Sequence, residues 1–337
     1  MRSARDPLHT SLCDALGCRL PVILAGMGGV ARAELAAAVS RAGGFGLLGM
    51  VRESPAFIGA QIDTVRAATD APFGVNLIPG ATDPDLLRAE LDVCFARAVP
   101  ALCFFWNVVP EAVARAKEAG CLVLYQVGSV DDARAAVAAG ADVVIAQGVE
   151  AGGHVRGNVS SLVLLPQVAA AVEVPVVASG GFGTGAGLAA ALALGAAGIH
   201  CGTAFLATRE SFAHQVHKDR VLAASSADTV HTDAFAINWP KGSPVRLLTN
   251  SATQALGDRL FGHDPEAMPR EQIGEDDGRP IWRYSTDSPL RSTTGNLEAM
   301  ALFAGQVAGQ IDDLPPAADR LKRIAAAART ILGGPGT

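Results

Sequence analysis

The sequence predicts an α/β protein, a (β/α)8 TIM barrel carrying a smaller, mostly helical cap. Three observations lead there. Short β-branched or aliphatic runs alternate with Ala-rich helical stretches from residue 22 to about residue 220, the cadence that builds a parallel sheet. Eight such runs occur, and each is apolar throughout, as strands buried on both faces are. Eight units within roughly 200 residues suit a closed barrel.

The expected strands are Val22–Ala25, Phe45–Leu48, Phe73–Leu77, Ala101–Phe105, Cys121–Val127, Val143–Gln147, Val176–Ser179 and Gly198–Gly202. Between them, helices are expected over Arg32–Arg41, Pro55–Ala68, Pro84–Ala98, Pro110–Ala119, Val130–Ala139, Leu162–Val172 and Gly183–Leu194, with an eighth over Ser211–Ala224. Proline in the first turn (Pro55, Pro84, Pro110) and glycine just past the last (Gly43, Gly120, Gly140, Gly195) mark their ends. Residues 1–225 thus read as the barrel and 226–296, richer in Pro, Gly and charge, as a cap or substrate domain. Residues 297–337 read as helices returning to the barrel, Leu297–Ile311 and Asp319–Ile331, with 333–337 a loose tail.

Composition narrows the function. Among 337 residues, 27 Lys and Arg against 33 Asp and Glu give a net charge of −6, which argues against nonspecific binding to nucleic acid or to an acidic membrane. Hydrophobic residues reach 50% while aromatics are only 5%, so the core is large and aliphatic. The most apolar stretch, Leu188 to Ala207, is interrupted by Gly195, Gly198, His200 and Gly202 and does not read as a membrane span. No export signal is visible, and the six cysteines show neither a C-x-x-C pair nor a histidine at zinc spacing. These features predict a cytoplasmic protein with reduced thiols and no metal site. The sparse charge is compatible with a homodimer.

Catalytic residues of a barrel sit where strands end. Glycines 26, 28 and 29 flank Met27 after the first strand, Asn76 ends the third, Gln126 the fifth and Gln147 the sixth. After the seventh comes Ser179-Gly180-Gly181-Phe182-Gly183-Thr184-Gly185, opening a helix, and after the eighth Gly202-Thr203. Glycines at these two turns would let backbone amides approach a phosphate. Three terminal amides converging on one face suit a planar heterocycle that needs donors and acceptors, a description flavin mononucleotide (FMN) meets. A rival is the dinucleotide fingerprint of a doubly wound sheet, matched at Gly26–Ala31 and Gly181–Ala186; the second match lacks the required acidic residue at the next strand's end, while the first has Glu53 nearby, beyond Gly49 and Met50, which keeps that sheet as the minority reading.

The loop after the sixth strand reads Gln147-Gly148-Val149-Glu150-Ala151-Gly152-Gly153-His154-Val155-Arg156-Gly157. Its glycines would let the His154 imidazole project over a flat cofactor, and histidine exchanges protons near neutral pH with little tuning. His154 is therefore the expected catalytic base, while His9, His200, His214, His217, His231 and His263 read as structural. Glu150 and Arg156 receive no role. With no Ser-His-Asp order, paired-carboxylate signature or P-loop in the chain, redox chemistry remains.

Leu20-Pro21-Val22-Ile23, Gly26-Met27, Gly74-Val75-Asn76, the Gln147–His154 run, Gly180-Gly181, Gly202-Thr203-Ala204-Phe205, Asp228–Asp233 and Ala304-Gly305-Gln306 together resemble the nitronate monooxygenases, or 2-nitropropane dioxygenases. The resemblance implies a barrel that binds FMN noncovalently under a smaller helical domain. It implies oxidation of alkyl nitronates, or of nitroalkanes, by O2 to a carbonyl compound and nitrite. His154 would abstract the α-proton or hold the anion. FMN would lie against Ala25, Gly26, Met27, Asn76, Gln126, Gly152, Gly153, Ser179, Gly180, Gly181, Gly202 and Thr203, with Ser179, Gly181, Gly202 and Thr203 nearest its phosphate. Gly26, Thr184 and Ala204 stand where the family commonly has Pro, Asp and Arg. The sister FMN-dependent enoyl-acyl-carrier-protein reductases share the Glu-Ala-Gly-Gly-His loop, so NAD(P)H-dependent reduction of an enoyl thioester is the alternative.

Overall fold

The computed structural model describes residues 6–333; the expected loose tail lies, but for Gly333, outside them. Eight parallel strands run Val22–Leu24 (β1), Gly46–Gly49 (β2), Phe73–Leu77 (β3), Ala101–Phe104 (β4), Leu122–Val127 (β5), Val143–Gln147 (β6), Val176–Ser179 (β7) and Gly198–Cys201 (β8). Each pairs with its sequence neighbours, β1 pairs with β8, and the Ile23–Phe45 bridge joins β1 to the start of β2. The sheet is thus closed. A doubly wound sheet, which the dinucleotide fingerprint would need, has open edges.

Local chemistry explains where the helices begin. Ser54 Oγ accepts from the Phe57 amide at 3.2 Å, Ser129 Oγ from Asp132 at 3.0 Å, and Asp83 Oδ1 from Asp85 and Leu86 at 3.0 and 3.2 Å, each satisfying amides that a helix start leaves free. Thr184, at the unusual position noted above, caps Gly185–Ala193 through the Gly187 amide at 3.1 Å. Gly43 and Gly140 end their helices in the left-handed region, at φ 106° and 109°. The last helix, Ala317–Leu332, packs on Gly185–Ala193 so closely that a Cβ on Gly185 would lie 2.4 Å from Ala327 Cβ.

Two expectations fail beyond the barrel. Between residues 226 and 296 the cap is built mainly of short antiparallel strands. Thr229–Thr232 pairs with Val245–Leu248, and Gln272–Asp276 with Arg279–Trp282. The second hairpin turns on Asp277-Gly278, at φ 49° and 79°, the backbone a two-residue turn demands. The expected helix Leu297–Ile311 is two short 3-10 turns, Leu297–Ala299 and Gln306–Gln310, separated by extended chain in which Phe303 bridges Leu247. Its apolar residues are buried by two different neighbours and not along one helical face.

The barrel's amino end is sealed by Ser11–Leu16, whose Leu12, Cys13 and Leu16 join Ile23, Phe45, Leu47 and Val177 in one apolar cluster. The carboxyl end carries the cap and the polar residues.

Candidate functional site

The rim turns pack against one another. A Cβ built on Gly202 would lie 3.6 Å from both Ala25 Cβ and Met27 Sδ, so the turns after β8 and β1 are adjacent. Gly26 is forced by proximity, since a Cβ there would fall 2.2 Å from Asn76 Cβ; the proline usual in the family has no room. Gly180 and Gly181 turn the chain at φ 91° and 78°, conformations glycine adopts without steric cost. Gly180 lies against the Gly148 backbone and Gly181 against the Glu150 side chain. The amides of Gly181, Phe182 and Thr203 find no acceptor among the described residues. After β8 comes the one-turn helix Thr203–Leu206, the arrangement in which barrels hold phosphate.

The loop after β6 is held from several sides. Gly153–His154 forms a two-residue strand on the cap sheet, opposite Val245 and Arg246. The buried Arg246 donates to the Val149 carbonyl through Nε and Nη2 at 3.2 and 3.0 Å. Gly152 abuts Gly305, whose amide donates to Thr203 Oγ1 at 3.0 Å, and the Gln306 amide donates to the Glu150 carbonyl at 3.0 Å. Glu150 accepts from the Ser161 amide at 3.1 and 3.2 Å and from the Ser161 hydroxyl. It therefore stabilises the positive start of helix Ser161–Ala171, whose own N-cap Ser160 makes no side-chain bond. Arg156 leans toward Asp132, 3.6 Å away, and over the Trp106 ring.

His154 is half-buried. Its ring stacks on Trp239 with centroids 3.6 Å apart and planes at 29°, and Trp106 and Phe303 each lie 6.0 Å away. Its Nε2 is buried without a partner among the described residues. Burial first, and the Arg52 charge second, push its pKa down to about 3, so the ring is neutral here and not poised near pH 7 as the sequence suggested. Arg52 sits at φ 55° after β2, its guanidinium 4.9 Å from the Trp239 centroid. It donates to the carbonyls of Ala81 (3.0 Å) and Asn238, joining two rim loops and the cap.

The three strand-end amides divide. Gln147 is spent on the loop, donating to the His154 carbonyl at 2.9 Å and accepting from the Arg156 amide at 3.0 Å. Asn76 donates to Cys103 O across the β3–β4 ladder at 3.0 Å. The Gln126 side chain is largely buried and makes no hydrogen bond among the described residues. Ser179 Oγ bonds His200 Nδ1 at 3.0 Å.

The expected site residues therefore lie at the carboxyl ends of the strands or in the turns and loops that follow them. Sequence reasoning gave no role to Arg52, Trp106, Trp239 and Phe303, and read His200 as structural. The strand-end rule would have reached Trp106, directly after β4, had it been applied to aromatic as well as polar residues.

A barrel with glycine-built turns after β7 and β8 and an imidazole above the same rim defines a class, the cofactor-dependent barrel oxidoreductases. Within it, the sequence model for nitronate monooxygenase matches residues 9–326, and the chain belongs to that family. The family's oxidoreductases depend on a flavin in general. A Mycobacterium tuberculosis protein named (3aS,4S,5R,7aS)-5-hydroxy-7a-methyl-1-oxo-octahydro-1H-indene-4-carboxyl-CoA dehydrogenase is 35% identical, over 96% of this chain and 97% of its own. Among solved structures, FabK from Thermotoga maritima superposes with a TM-score of 0.83 at 32% identity, covering 96% of this chain and 97% of that one. Nitroalkane oxidase from Streptomyces ansochromogenes gives 0.79 at 34% identity, over 94% and 97%. No helix among the described residues is long and apolar enough to cross a membrane.

Proposed function

We propose that the chain binds FMN on this rim and oxidises alkyl nitronates with O2 to a carbonyl compound and nitrite. The observation that carries the reading is His154, a neutral imidazole with a buried, unpartnered Nε2 walled by Trp106, Trp239 and Phe303. The FMN phosphate would take the free amides of Gly181, Phe182 and Thr203. Ala25, Gly26, Met27, Asn76, Gln126, Gly152, Gly153, Ser179, Gly180 and Gly202 would line the rest. Ala204 leaves that end without the family's usual arginine, so backbone amides must supply most of the attraction. When bound, the flavin supplies the electron acceptor.

The chain's own residues do the remainder. The aromatic walls exclude water, which strengthens every charge interaction inside. Arg52, with its Nη2 uncommitted, favours a substrate that arrives as an anion. An anion beside His154 raises the ring's proton affinity from its depressed value, so Nε2 can hold a proton against the substrate only once the substrate is present. A neutral nitroalkane brings no such charge, and nitronates should therefore be the better substrates.

A second reading rests on the Mycobacterium tuberculosis relative, whose name specifies a carboxyl-CoA compound. By that reading the substrate is an acyl thioester, and NAD(P)H or the thioester exchanges electrons at the same flavin. Oxygen uptake with propionate 3-nitronate separates the two. Uptake with nitrite release supports the first. Anaerobic bleaching of the flavin by NADH within seconds, with no nitronate turnover, refutes it in favour of the second.

A further inference from the structure

On β8, Ile199 and Cys201 pack outward in the core shared with the helices, while Ile23 and Val177 on the neighbouring strands, level with His200 and Gly198, belong to the cluster inside the barrel. Alternation therefore turns His200 inward. It stands in register with Ser179 on one side and Ile23 on the other, and Ser179 is level with Gln147. Gln147, Ser179 and His200 thus form a polar row across β6, β7 and β8, directly before the two glycine turns.

The row is incompletely satisfied. Gln147 is committed to the His154 loop, and Ser179 holds His200 Nδ1 at 3.0 Å. His200 is 5% exposed and its Nε2 has no partner among the described residues. A buried polar atom left unpaired is costly, and leucine at this position would remove that atom while leaving Ser179 Oγ without its partner. Burial pushes the ring down to about 4, so it is neutral and offers a hydrogen bond, not a charge. A neutral imidazole suits an alcohol more than a phosphate, whose negative charge the amides above can meet.

We propose that His200 is a cofactor-binding residue whose Nε2 hydrogen-bonds a hydroxyl of the ribityl chain of FMN, with Ser179 fixing the ring. The inference rests on the flavin reading above and assigns a residue that looked purely structural in the sequence. It separates two properties that a core histidine would couple, because the ring stabilises the loaded protein while adding little to the empty one.

The experiment is titration of flavin-free protein with FMN, followed by quenching of flavin fluorescence, beside thermal unfolding of the same flavin-free samples. His200→Leu should weaken FMN binding about tenfold, the worth of one hydrogen bond, while its unfolding temperature without flavin changes little, because the unpaired Nε2 it removes offsets the Ser179 hydroxyl it leaves without a partner. His200→Gln should recover most of the affinity. Wild-type affinity in His200→Leu would overturn the proposal, as would a loss of stability without flavin larger than the one Ser179 hydrogen bond accounts for, which marks a structural role. Should His200→Leu fail to fold, His200→Gln decides, since a structural histidine predicts loss of stability there as well. Absence of FMN binding by the wild-type protein would overturn the flavin reading and this inference together; wild-type binding with an unaffected variant would overturn this inference alone.

Discussion

The two ends of the barrel are made from the same eight strands and satisfied differently. At the amino end, Leu12, Cys13 and Leu16 fill the opening, and a Cβ on Gly198 would lie 2.6 Å from Leu12 Cδ2. At the carboxyl end, His154 and His200 each keep a buried nitrogen without a partner among the described residues, and the amides of two turns face no acceptor there. Under the proposed function, what this end leaves unsatisfied is stability given up for binding, the division of labour expected of this fold.

Substitutions at the two ends should therefore fail in opposite ways. His154→Ala should lower kcat/KM by about 10²- to 10⁴-fold, the usual worth of a group that moves or holds a proton, with circular dichroism unchanged. Leu12→Ala should cost about 2–5 kcal/mol of stability by opening a cavity and leave turnover per folded molecule intact. A stable, active Leu12→Ala protein would break the comparison, as would a His154→Ala protein that turns over normally.

Acid should find the carboxyl side first. His154, His200 and His217 are pushed by burial to about 3, 4 and 4, and His217 bonds the Phe303 carbonyl beneath the cap at 3.0 Å. The unfolded chain takes up protons at these rings below about pH 6.5 while the folded chain does not, so stability falls as pH drops from there toward 4. Hydrogen exchange near pH 4.5 should rise around the rim and cap before the amino end. Uniform exchange would assign acid sensitivity elsewhere. The smallest effect concerns Glu150: Glu150→Ala should cost about 0.5–2 kcal/mol, as removing a helix cap does, with KM little changed. A large rise in KM with unchanged stability would make Glu150 a substrate group.

Much of the barrel was legible because a parallel strand must be apolar on both faces and its helix must start and stop nearby. Pro55, Pro84, Pro110, Gly43 and Gly140 mark those boundaries within a residue or two of where they fall. The cap was misread because its strands are short and half-exposed, although Asp277-Gly278 between Ile273 and Ile281 carried a hairpin signal. Leu297–Ile311 misled because Ala, Leu and Val at helical spacing also arise when a segment is buried by several neighbours. At the rim, glycines and amides announced themselves by type. Arg52, Trp106 and Trp239 did not, since large rim side chains look like core or surface until the cap folds over them, and a strand histidine such as His200 looks like core.

The central claim is that the turns after β7 and β8 grip a flavin phosphate. Gly202 tests it directly, because at φ −97° it has ordinary backbone and an added Cβ would make only 3.6 Å contacts, so a glutamate there folds but sets a carboxylate against the phosphate. Equilibrium titration with FMN should give one flavin per wild-type chain and no measurable binding by folded Gly202→Glu. Equal binding by both would contradict the account.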